Sequence, residues 1–190
     1  MQPIGPLMIE HRLIERMFTL MQREWQRITE NMAVDPEFHF VDPVFIDTAV
    51  DFIHTYADRC HHGKEEEILF AALQKKDLAP EHRQMMEELI KDHVWGRETT
   101  AALVSAKEGF LREKDGALEK LLENLGQLVD FYPRHIEKED KNFFPAAMTY
   151  FSDAEKADLL QTMYEFDRQM IHEKYRGVVE GIETRKSCHI

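Results

Sequence analysis

Two segments of this chain repeat one arrangement of metal-binding residue types. Residues 61–70 read HHGKEEEILF and residues 135–144 read HIEKEDKNFF. His61 and His62 are each followed by a glutamate four residues on, so the first copy alone has two registers. Aligning Lys64 with Lys138 and Phe70 with Phe144 pairs His61 with His135 and Glu65 with Glu139. On a helix, residues i and i+4 lie on one face about a turn apart, so each pair offers a ring nitrogen and a carboxylate to one ion. A single such pair in a Glu-rich helical chain is commonplace, a surface histidine beside a solvated glutamate. Its repetition in a shared Lys-Glu and Phe-Phe context points to two arms of one centre.

The elements that must position these arms are helices. His11, Ile14, Phe18, Met21, Trp25, Ile28 and Met32 recur at three- and four-residue steps, predicting one amphipathic helix with His11 at the start of its apolar stripe. Residues 33–43 (AVDPEFHFVDP) hold two Asp-Pro steps and predict a loop, in which His39 has no assigned role. A second helix is expected from about Pro43 to about Gln74, with Val50, Ile53, His54, Ala57, His61, Glu65, Ile68 and Ala72 inward. His54 lies seven residues before His61, about 10 Å along the axis, and is assigned to the core or to a supporting layer. His62 and Glu66, about 100° around the helix, are placed at the flank of the stripe.

Pro80 opens a third helix that carries Met86, Leu89, Ile90, His93, Thr100 and Leu103 inward. The run KEGFLREKDG at 107–116 predicts a turn. Leu118, Leu121, Leu125, Leu128, Tyr132, His135, Glu139, Phe143 and Ala146 then form the stripe of a fourth helix interrupted by Pro133. Ser152–Glu155 (SDAE) is a capping box that opens a fifth helix along Ala157, Leu160, Met163, Tyr164, Phe166 and Met170. His172, Tyr175, Cys188 and His189 carry no assigned role, and the tail is expected to fray.

Whole-chain properties narrow the function. At 190 residues, with 43% hydrophobic residues and only 8 Gly and 7 Pro, the chain can bury a core unaided and suits an all-α fold. A formal net charge of -12 opposes binding to nucleic-acid phosphates. No apolar run approaches the roughly 20 residues of a membrane span, and the N-terminus lacks the pattern of a secretory signal. Cys60 and Cys188 are isolated thiols, which with these features predicts a cytoplasmic setting.

Four helices thus present His11, His61 with Glu65, His93, and His135 with Glu139. Imidazoles and carboxylates together suit iron, manganese or zinc, and six groups exceed what one tetrahedral zinc takes, so two metals bridged by carboxylates is the economical reading. In order and spacing, H, HxxxE with LF, H, and HxxxE with FFP, the chain resembles the hemerythrin-like (HHE cation-binding) family over roughly residues 7–150. The resemblance implies an up-down four-helix bundle with a non-haem di-iron centre, assigned to residues 1–150, and the capping box puts a C-terminal helix in 151–190, on the bundle or a partner. By position it makes His11, His61, Glu65, His93, His135 and Glu139 the ligands of two irons, with other divalent metals as alternatives. Oxygen-carrying members of the family have HxxxH on the third helix, where this chain has Arg97, and HxxxxD on the fourth, where Asp140 stands beside Glu139.

With one histidine fewer, the expected function is binding or reaction with oxygen, peroxide or nitric oxide, in sensing or protection. The alternatives are an iron storage, donation or iron-sulfur repair carrier and a non-catalytic, metal-stabilised interaction module. The expected partners are the small ligand and, through the apolar fifth helix, a second copy of the chain, with no nucleic acid and no membrane.

Overall fold

A computed structural model describes residues 2–35 and 40–187, with side chains described through residue 170. His39, His172, Tyr175, Cys188 and His189 therefore lie outside the described side chains. The described residues form helices without a strand: α1 (Ile4–Val34), α2 (43–73), α3 (Pro80–Leu111), α4 (117–147) and α5 (Asp153–Ser187). None is long and apolar enough to cross a membrane.

Local chemistry sets the helix ends. Pro3 immediately precedes α1 and Pro6 lies in its first turn, where a missing N–H costs little. Asp42 caps α2, accepting from the backbone N–H groups of Val44 and Phe45 through Oδ1 at 3.0 and 3.2 Å. The turn between α3 and α4 closes at Gly116, whose φ of +70° is a left-handed conformation that glycine adopts without strain. At α5 the capping box forms as the sequence predicts: Glu155 Oε2 accepts from the Ser152 backbone N–H at 2.8 Å, and Ser152 Oγ accepts from the Glu155 N–H at 3.3 Å.

The core is divided in two. One apolar cluster contains Ile14, Phe18, Ile46, Ile53, Ala57, Leu103, Leu121, Leu125, Leu128 and Tyr132. The other contains Leu7, Ile68, Phe70, Met86, Leu89, Phe143, Phe144 and Met163. Along each of α1 to α4 the two clusters are visited in turn, and His11, His61, His93 and His135 lie in the layer between them. The order of the visit reverses from each helix to the next, from Leu7 to Ile14, Ala57 to Ile68, Leu89 to Leu103, and Tyr132 to Phe143.

Wide π-helical turns interrupt α2 at Ile53–His62 and Glu65–Phe70, and α4 at Glu139–Phe143. Each changes the angular step and re-aims the residues that follow, so the regular 100° wheel fails here. His54, expected on the inner face, is exposed. His62, expected at the flank, is buried. Pro133 lies inside α4 without ending it.

α5 packs along the π-helical part of α2. Its inward residues are Leu159 and Met163, whereas Ala157 and Tyr164, expected inside, are exposed. Gly63 explains the close approach, because a Cβ there would meet Phe166 Cζ at 2.8 Å. Gly63→Leu should therefore displace Phe166 and destabilise the fold by about 1–3 kcal/mol through overpacking. Denaturant unfolding measures the loss, and faster proteolytic cleavage within α5 should accompany it.

Candidate metal centre

Between the two apolar clusters lies a layer of buried polar side chains: His11, His61, His62, Glu65, His93, His135 and Glu139. They fall into two groups. One ligand-type atom from each of His11, His61, Glu65 and Glu139 lies within 4.8 Å of the others, and the same holds for His62, His93 and His135. Both glutamates also face the second group: Glu65 Oε1 is 3.4 Å from His61 Nε2 while its Oε2 is 3.3 Å from His93 Nε2. Glu139 Oε2 is 3.2 Å from His11 Nε2 while its Oε1 is 3.4 Å from His135 Nε2 and 3.6 Å from His93 Nε2. Each carboxylate thus spans the two positions.

The structure brings together all six residues singled out from the sequence, His11, His61, Glu65, His93, His135 and Glu139. It adds His62, whose ring stacks on that of His93 with centroids 3.9 Å apart and planes 10° apart. Adjacent residues both reach the interior because π-helical turns carry them. The signal in the sequence was the His-His doublet itself, with Glu66 four residues after His62. Asp140, the alternative to Glu139, turns outward from the layer and accepts from His11 Nδ1 at 2.7 Å. Tyr132 packs, stacked on Phe18 at 3.8 Å.

Every one of these histidines points its Nδ1 at a carboxylate that in turn meets a cation. His11 donates to Asp140, which pairs with Arg12. His61 donates to Glu10 at 2.9 Å, and Glu10 pairs with the fully buried Lys64. His93 donates to Glu66 at 2.7 Å, and His62 lies 3.4 Å from Asp58. Arg97 holds both of those carboxylates. His135 Nδ1 faces Asp92 at 3.5 Å, and Asp92 pairs with Lys138 at 3.1 Å. Such outer partners fix the ring and its tautomer, and inside the layer the Nε2 atoms of His11 and His61 lie 2.7 Å apart.

The electrostatics of the layer are unbalanced. Burial and the nearby Glu139 drive the pKa of Glu65 well above the usual carboxylate range. Glu139 is also buried, yet His135, His11 and His93 hold it well below that range. Burial opposes protonation of His11, but Asp140 and Glu139 outweigh it and raise its pKa to about 9. Burial and His93 instead push His62 down to about 3.

Both oxygens of Glu65 and of Glu139, the Nε2 of His93 and both ring nitrogens of His135 have no hydrogen-bond partner among the described residues. Leaving so many buried polar atoms unpaired is costly. Carboxylates and imidazoles converging on two points are a donor set for hard-to-borderline divalent metals, so the residues fit the metal that this geometry implies.

Lys64 joins this layer to α5. Its Nζ donates to Glu10 and, at 2.6 Å, to Asp167 of α5, with Cys60 Sγ at 3.6 Å. Burial pushes the Cys60 thiol up to about 12, so it is not a ready nucleophile. Lys64→Met should leave Glu10 without its cation and destabilise the fold by about 3 kcal/mol. A lowered midpoint in urea, with the slope unchanged, is the expected reading.

No curated protein and no solved structure matches the chain. The family model for the hemerythrin HHE cation-binding domain, however, matches residues 2–147, which include every residue of the buried layer. The chain therefore belongs to the hemerythrin HHE cation-binding family.

Proposed function

We propose that the protein is a non-haem di-iron protein that binds or reacts with oxygen, peroxide or nitric oxide. The observation that carries this reading is the pair of buried glutamates, each with one oxygen toward either histidine group. An up-down four-helix arrangement is part of the reading, supported by the alternating order in which α1 to α4 pass the two apolar clusters. A cytoplasmic setting is supported by the two separate thiols in the sequence.

His11, His61, Glu65 and Glu139 would hold one iron; His62, His93 and His135, with the same two glutamates, would hold the other. Iron in such a site supplies Lewis acidity and redox chemistry toward small oxygen- or nitrogen-containing molecules. The chain's own residues do the rest. Glu65 and Glu139 offset part of the cationic charge. Phe144, stacked on His11 at 5.6 Å, helps wall the layer from water. The position with two histidines has fewer protein ligands than the one with three, which makes it the more open to an exogenous molecule. Outer carboxylates hydrogen-bonded to His11, His61, His62 and His93 favour retention of metal over its release to an acceptor, which weighs against a carrier role.

Aerobically purified protein should contain about two irons per chain and show a near-ultraviolet or visible charge-transfer band that moves on adding azide or peroxide. The double variant His61→Ala/His135→Ala should lose both the iron and the band. Zero metal in the parent protein, or one zinc without a band, would overturn the reading. Free metal at about 100 times its dissociation constant should stabilise the fold by about 2.7 kcal/mol, so adding a chelator should lower the melting temperature.

A further inference from the structure

Arg97 stands one helical turn after His93 on α3 and touches none of the groups in the buried layer's interior. Its guanidinium instead binds two carboxylates on α2: Nη1 donates to Asp58 Oδ1 at 2.7 Å, and Nη1 and Nη2 both donate to Glu66 Oε1 at 3.1 Å. Glu66 Oε1 accepts from His93 Nδ1 at 2.7 Å, and Asp58 Oδ1 lies 3.4 Å from His62 Nδ1. One cation therefore stands behind two histidines, and those are the two whose rings stack at 3.9 Å.

The other histidines do not depend on it. His11 is backed through Asp140 by Arg12, His61 through Glu10 by Lys64, and His135 through Asp92 by Lys138. The dependence is thus confined to one of the two positions. An imidazole whose Nδ1 partner is fixed keeps one tautomer and one ring orientation, and a metal ligand needs both. The planar fork of arginine can hold two carboxylates at once, which the point charge of lysine does less well.

Building on the two-metal reading above, we infer that Arg97 is a positioning residue. Through Asp58 and Glu66 it orients His62 and His93 together and so sets the metal affinity of the three-histidine position alone.

The test is anaerobic titration of metal-free protein with ferrous iron, followed by calorimetry and by iron retained after gel filtration. The parent chain should bind two irons. Arg97→Met should bind one with unchanged affinity and the other about 10–100-fold more weakly. Arg97→Lys should recover only part of that loss. Asp58→Asn and Glu66→Gln should each reproduce part of it. Melting of the metal-free Arg97→Met protein should stay close to that of the parent, because Arg97 is partly exposed. Two irons bound by Arg97→Met with parental affinity would overturn the inference and leave the di-iron reading intact. Equal weakening of both sites, together with lowered melting of the metal-free protein, would reduce Arg97 to a general packing role. A parent chain that binds no iron would overturn both.

Discussion

Two carboxylates, Glu65 and Glu139, sit fully buried in the middle of a helical bundle, and the rest of the structure answers to that constraint. An ionised carboxylate without compensation is among the least tolerable groups in an apolar interior. The chain does not spread the cost. It gathers the polar groups into one layer, places apolar clusters on both sides, and surrounds the two glutamates with five imidazoles. With the chain's own groups alone the result is uneven, since Glu139 is held ionised while Glu65 is driven toward its neutral form. Divalent cations at the two points of convergence would remove that conflict. The fold is therefore stabilised by large apolar clusters that flank the layer, while the layer itself is arranged for binding.

Around the layer runs a second ring of charge. Asp58, Glu10, Glu66, Asp92 and Asp140 face the Nδ1 atoms, and Arg12, Lys64, Arg97 and Lys138 face those carboxylates in turn. These pairs lie nearer the surface than the histidines, so as isolated ion pairs most contribute little to stability. Their effect is orientation. Lys64 is the exception, being fully buried, and through Asp167 it makes α5 a part of the same network rather than an independent appendage. Gly63, one residue earlier, lets Phe166 approach, so packing and charge fasten α5 to α2 at one place.

Much of this was readable from residue types and spacing. Five helices, their approximate limits, the capping box at Ser152 and the inward placement of His11, His61, Glu65, His93, His135 and Glu139 all follow from a 3.6-residue period and from the internal repeat. Periodicity reports burial well because an apolar stripe has one stable place to go, the core. It assigned Arg97 no partner, because the partner of a polar side chain on another helix leaves no mark in local spacing.

What only the tertiary structure decided is where the regular period breaks. The π-helical turns in α2 rotate His54 outward and bring His62 inward, so the layer holds five histidines instead of four. A wheel with a fixed 100° step cannot anticipate such turns, since their cost is offset by contacts made across the bundle. The same holds for Asp140 and Glu139, adjacent in sequence, of which one backs His11 and the other spans both positions. The sequence by itself determined an all-helical chain with a buried His/Glu centre, because burial and i, i+4 spacing are local properties. Which histidines share a position, and which cation stands behind each, depends on contacts between distant residues and was settled only when the helices packed.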